Sequence, residues 1–232
     1  MTPEMQVELI SAIEDAGSSD CRVVVLRGAG DAFCSGLDLT ALQQIEEKTA
    51  AAHQEDAQRI ALLFRSLYEC SKPTIAAVHG AAIAGGTGLA TICDFTLATP
   101  AARFGYTEVR IGFVPALVSA FLALQIGDKR CRDLLLTGRI FDAAEGYRLG
   151  LVTEVVDAEV LTARVESLAK SIIVNSPRSL RATKQLMASQ NKIWLDAAIA
   201  EAMHCNAEAR VTKDFVEGIS AFLQKRKPYW AS

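Results

Sequence analysis

The stretch Ala77-Val78-His79-Gly80-Ala81-Ala82-Ile83-Ala84-Gly85-Gly86-Thr87-Gly88-Leu89-Ala90 places the tightest limit on what this chain can fold into. Glycine and alanine concentrate where a strand-like run gives way to a helix, so neighbouring backbone can approach closely there. A second segment upstream, Ala32-Phe33-Cys34-Ser35-Gly36-Leu37-Asp38-Leu39, has the same character of an exposed turn after a strand. Two such turns facing one another would offer two free backbone N–H groups.

The chain has 232 residues, of which 50% are hydrophobic, enough for one large core with a helical appendage. Its net charge of −3 gives no broad basic field for nucleic acid or an anionic membrane. Residues 74–93 superficially resemble a membrane span, but they are rich in Ala, Gly and Thr, contain His79 and end at Asp94, which points to a buried core segment. The N-terminus lacks a charged region followed by an apolar stretch and a cleavage site, so a cytoplasmic location is expected. The cysteines at 21, 34, 70, 93, 131 and 205 form no Cys-x-x-Cys pair, a pattern of reduced structural thiols and of no metal site.

Thr2 as N-cap and Pro3 at the first helical position announce a helix, with Met5, Leu9 and Ile13 on one face and Gly17 as its stop. Residues 23–26 read as a strand buried on both faces and closed by Gly28. A long helix carries Ile60, Leu63, Phe64 and Leu67 and ends at Lys72-Pro73, while 43–57 reads as a mobile lid or exposed helix. Strands follow at 74–78, 95–98 and 103–106, with a buried helix over 89–93. Helices over 115–126, 128–137 and 142–149 are stopped by Gly127, Gly138 and Gly150, and 151–156 is a last strand. Everything after 159 reads as helix. The alternation predicts an α/β fold, with 1–158 as core and 159–232 as a helical region that packs on the core or on another subunit.

Phe33-Cys34-Ser35-Gly36-Leu37-Asp38-Leu39, then His79-Gly80 with Gly85-Gly86, then Phe104-Gly105-Tyr106-Thr107-Glu108-Val109-Arg110-Ile111-Gly112-Phe113-Val114-Pro115 together resemble the crotonase (enoyl-CoA hydratase/isomerase) superfamily in order and spacing. Leu136-Thr137-Gly138-Arg139, Gly150-Leu151-Val152 and the ending Phe222-Leu223-Gln224-Lys225-Arg226-Lys227-Pro228 extend that likeness over nearly the whole chain. The resemblance implies a spiral of ββα units with a helical C-terminal oligomerisation region, assembly as a homotrimer or a dimer of trimers, and an acyl-CoA thioester as substrate. It implies no separate cofactor, since coenzyme A is part of the substrate.

The resemblance also assigns roles. Two backbone N–H groups, matching Leu37 and Gly85, would stabilise an enolate-like anion at the thioester oxygen. Such donors are fixed before reaction, and each is typically worth roughly 10²–10³ in rate. Glu108 would be the catalytic base, its apolar neighbours raising its pKa. Ser35, Gly36, Leu37, Asp38, Leu39, Gly85 and Gly86 would form the substrate-binding turns, and Lys225 would approach the CoA phosphates. Either glycine-rich turn alone reads rather as tight strand-to-helix packing, and Glu108 alone rather as a surface carboxylate paired with Arg110; the ordered pair and the resemblance turn both readings toward catalysis. His79 reads as a packed core histidine, and His53 and His204 as surface residues.

The chain departs from the family pattern at Gly88, where many hydratases of the family carry a second glutamate. The helix at Thr2 is also preceded in the family by a strand pair. One carboxylate can serve hydration through a single water, and it also suffices for moving a proton between C2 and C4. The expected activity is therefore an enoyl-CoA hydratase-type lyase, with an enoyl-CoA double-bond isomerase or a non-catalytic acyl-CoA-binding member as alternatives.

Overall fold

The computed structural model describes residues 1–38 and 49–230. Helix α1 (Pro3–Ser18) starts where expected: the Thr2 hydroxyl accepts from the Met5 N–H at 3.3 Å. It leads into strand β1 (Val24–Arg27), and helix α2 (Ala50–Tyr68) then runs up to β2 (Thr74–Val78). Strand β3 (Ala81–Ile83) and helix α3 (Gly85–Ile92) follow directly, then β4 (Phe95–Ala98) and β5 (Arg103–Gly105). Helix α4 (Ala116–Thr137) joins two expected helices across a break at Gly127, whose φ of 76° is non-helical. Strand β6 (Ile140–Asp142), helix α5 (Ala143–Leu149), strand β7 (Glu154–Val155) and helices α6 (Leu161–Ile173), α7 (Pro177–Ala209) and α8 (Lys213–Leu223) complete the described chain.

The strands form a parallel sheet in the order β1-β2-β4-β7 and a smaller sheet in the order β3-β5-β6. In the first, Ile75 pairs with both Val25 and Phe95, so β2 is central, and all five of its residues are buried. This explains its unbroken apolar run. Ile75, Ala77 and Leu97 pack on Leu161, Val165 and Ile172 of α6, while Ala76 and Val78 face the main core with Phe64, Leu89 and Leu122. Leu195, Ile199 and Ala202 of α7 enter that same core. The segment 74–93 is thus interior strand and helix, and no described helix is long and apolar enough to cross a membrane.

Several expectations need correction. Strand β1 is an edge strand, with Val25 42% exposed, so it is not buried on both faces. The part of 43–57 that is described belongs to α2, and His53, Asp56 and Ala57 there are buried. The strand expected over 151–156 shrinks to Glu154–Val155, because the Leu151 and Val152 N–H groups turn back to the Gly146 carbonyl at 2.9 and 3.1 Å. Strands β3 and β6 went unread, since three residues carry too little periodicity to register.

Candidate functional site

The two glycine-rich turns meet because a parallel bridge joins them. Cys34 pairs with Ala82, the Phe33 and Cys34 N–H groups both donate to the Ala81 carbonyl at 2.9 and 3.0 Å, and Ile83 N–H donates to the Cys34 carbonyl at 2.9 Å. Glycine makes the approach possible: a Cβ on Gly86 would collide with the Cys34 carbonyl. Gly36, at φ +88°, tucks beneath Ile83 and Ala84, where a Cβ would stand 3.9 Å from the Gly85 nitrogen. Both the Leu37 and Gly85 N–H groups lack an acceptor among the described residues. Gly85 opens α3, so its amide also belongs to the electropositive first turn. Ala84 before it is held at φ 54°, a costly conformation for a residue with a Cβ, and its N–H donates to Gly105 O at 2.7 Å.

Glu108 begins a single 3-10 turn, Glu108–Ile111, that follows β5. The C-terminal helix α8 grips this turn backbone to backbone. A Cβ on Gly112 would meet the Asp214 carbonyl, and one on Gly218 would meet the Ile111 carbonyl. The Phe113 and Phe215 rings, 4.5 Å apart at their centroids, seal the contact. Glu108 as a residue is half-buried, but its Oε2 is closed off from solvent and has no hydrogen-bond partner among the described residues. Burial pushes its carboxyl up to about 7, opposed by its own backbone N–H. No ion pair with Arg110 forms among the described residues, so the surface-carboxylate alternative does not describe it. Tyr106 nearby is spent structurally: its buried hydroxyl lies 3.1 Å from Thr91 Oγ1, and burial drives its pKa upward.

Ser35, Leu37, Gly85 and Glu108 line one cavity of about 170 Å³, whose remaining wall is mainly apolar, with Ile60, Phe64, Phe113 and Val118 prominent. Two residues with unpaired amides and one carboxyl pushed up to about 7 therefore line a common, mainly apolar cavity. Gly88 lies beside it, and a Cβ there would come within 2.7 Å of Val118 Cγ1 and 3.1 Å of Phe64 Cζ. Apolar side chains thus occupy the room a second carboxylate would need.

The other expected residues fall as follows. Gly86 is buried behind the cavity against Cys34, and the Asp38 N–H donates to the Met1 carbonyl at 3.0 Å. Leu39 lies outside the described residues. Lys225 is exposed, sits at φ 53° and is absent from the cavity wall. His79 is half-buried, with Nε2 2.8 Å from the Gly30 carbonyl, rather than packed in the core. His53 is buried, contrary to expectation, whereas His204 is exposed beside Glu208.

Among the wall residues that the sequence reading did not place at the site are Phe222 and Asn206, both from the C-terminal helical region. A signal for Asn206 did exist: it continues the helical spacing of the buried Leu195, Ile199 and Ala202 toward Ala209, a polar residue on an apolar stripe.

The family model described as "Enoyl-CoA hydratase/isomerase" matches residues 1–232. A Thermus thermophilus protein provisionally named an enoyl-CoA hydratase is 42% identical over 229 residues, 98% of this chain and 90% of that protein. The peroxisomal Delta(3,5)-Delta(2,4)-dienoyl-CoA isomerase of Arabidopsis thaliana is 30% identical over 223 residues, 91% of this chain and 80% of its own. The crystal structure of an enoyl-CoA hydratase from Mycobacterium avium matches 100% of this chain and 88% of its own, with a TM-score of 0.87 at 32% identity.

Proposed function

The chain belongs to the enoyl-CoA hydratase/isomerase family, and from that premise we propose that it is a lyase adding water across the 2,3 double bond of an enoyl-CoA thioester. In this reading the Leu37 and Gly85 amides bind the thioester oxygen. Glu108 takes a proton from water as the hydroxide oxygen bonds to C3. The electron pair of the alkene moves to the thioester oxygen as an enolate, and Glu108 then returns the proton to C2. Water is consumed, no redox partner is needed, and coenzyme A enters only as part of the substrate.

The observation that carries the reading is the sealed Glu108 Oε2, whose carboxyl is pushed up to about 7 in the cavity that Leu37 and Gly85 also line. A group titrating there is balanced between taking and returning a proton near neutral pH. Replacing Glu108 by Gln should lower enoyl-CoA hydration by orders of magnitude with the fold intact. Unchanged turnover would sink the assignment.

The filled space at Gly88 favours a second reading, double-bond isomerisation, which needs one base only. Mass analysis separates the two: a hydratase product gains one water, and an isomerase product keeps the substrate mass. We further propose assembly as a homotrimer or pair of trimers. Leu186, Met187, Ile193 and Trp194 of α7 support this, recurring seven residues apart as an exposed apolar stripe. Light scattering on purified protein tests it, and a monomer at micromolar concentration would contradict it.

A further inference from the structure

Asn206 is 4% exposed and stands on a wall otherwise rich in Ile, Phe, Val and Leu. Its Oδ1 accepts from Arg210 Nε at 3.1 Å. Because a guanidinium only donates, the Asn206 atom facing it has to be the oxygen, which fixes the amide the other way round. Nδ2, with two N–H donors, then has no hydrogen-bond partner among the described residues. The residue is almost wholly buried, yet Nδ2 is not one of the atoms sealed from solvent, so on this cavity wall its donors remain open to a ligand.

The surroundings define what would fill it. Arg210 is 2% exposed, lies 3.3 Å from Asp56 Oδ2 and has its guanidinium carbon 5.8 Å from the Phe113 ring centroid. Asp56 also bonds Arg59, whose Nε donates to Gln6 Oε1 at 3.0 Å. Among the described residues, two guanidiniums therefore meet at this carboxylate in the layer behind Asn206. Burial pulls the Arg210 pKa down, with Asp56 opposing and Arg59 reinforcing that shift. The amide donors thus sit beside the buried Arg210 guanidinium, a polar setting suited to an oxygen acceptor and wasted on a methyl group.

We propose that Asn206 is a specificity-determining residue, and that the preferred acyl chain carries an acceptor oxygen, anionic or neutral, which Asn206 Nδ2 binds. The inference rests on the acyl-CoA reading above and deepens it. It does not depend on which reaction follows. A site built to hydrogen-bond a substrate oxygen discriminates strongly against the analogue lacking it, since the donors are then left unpaired.

Binding of saturated, unreactive CoA thioesters tests this by calorimetric titration of the full chain. Three esters of matched length are used, ending in methyl, hydroxyl or carboxylate. The oxygen-bearing esters should bind roughly tenfold or more tightly than the methyl ester. A carboxylate preference identifies the anionic acceptor and a hydroxyl preference the neutral one.

Asn206→Leu should erase the difference. Because that variant also strips Arg210 of an acceptor and could fail to fold, Asn206→Asp provides a second test. The aspartate variant keeps an oxygen facing Arg210 but loses the donors, so the carboxylate ester should lose its advantage while the hydroxyl ester retains binding. Equal binding of all three esters by the unmodified protein would overturn the proposal. Binding of none would overturn the acyl-CoA reading instead, and loss of turnover with binding preference intact would overturn only the hydratase reading.

Discussion

Glu108 should make the protein less stable as the pH rises, and Glu108→Gln should remove that dependence. The carboxyl titrates at about 7 in the folded protein against 4.5 as its ordinary value. Between these pH values the unfolded chain has released its proton while the folded chain still holds it. The unfolded state thus binds fewer protons, and unfolding free energy falls with rising pH by about 1.4 kcal/mol per unit. Over the interval this amounts to about 3 kcal/mol, nearer 2 once the partial exposure of the residue is allowed for. The penalty is absent below pH 4.5 and complete above 7.

Glutamine carries a buried amide of its own, but that offset does not change with pH. The observable is therefore the difference in unfolding free energy between Glu108→Gln and the unmodified protein, from urea transitions at several pH values between about 5 and 8 at fixed protein concentration. All other titrating groups cancel in that difference. It should shift in favour of the variant by about 2–3 kcal/mol from the acid to the alkaline end. Curves that stay parallel would refute the claim that this carboxyl is ionised at a cost.

The same carboxyl predicts that kcat/KM of the unmodified enzyme rises with pH through about 7 as the base form appears, and a flat profile across that range would exclude Glu108 as the base. Gly218→Ala should destabilise the fold by about 1–3 kcal/mol and lower kcat, because the new methyl runs into the Ile111 carbonyl behind the Glu108 turn. Thermal melts and turnover read both effects, and a variant with normal kcat would show that α8 does not aim Glu108. Gly88→Glu should cost stability rather than improve hydration, since its Cβ would lie 2.7 Å from Val118 Cγ1. Adding Val118→Ala should recover part of the loss in the same melting assay.

Much of this molecule was legible in the chain. The N-cap of α1, the buried run of β2 and the glycine stops at 138 and 150 rest on local chemistry, and such signals survive whatever the rest of the fold does. The two glycine-rich turns were also recognisable, because only glycine at 36 and 86 tolerates the backbone that the structure puts against them. His53 and β1 were misread for the opposite reason. Their burial depends on which element lies alongside, and a local pattern carries no record of that.

The sequence alone therefore determined the family, the alternation of strands and helices, and the candidate roles of Leu37, Gly85 and Glu108. Tertiary structure decided what those residues meet: the Cys34–Ala82 bridge that joins the turns, the α8 backbone that grips the Glu108 loop, and the apolar pair that fills the space beside Gly88. It also brought Asn206, far along the chain, to the cavity wall with Arg210 behind it. The division has a physical cause. Helix caps, turns and hydrophobic periods are short-range properties of neighbouring residues, whereas desolvation and the pairing of a buried polar atom are set by groups that only folding makes neighbours.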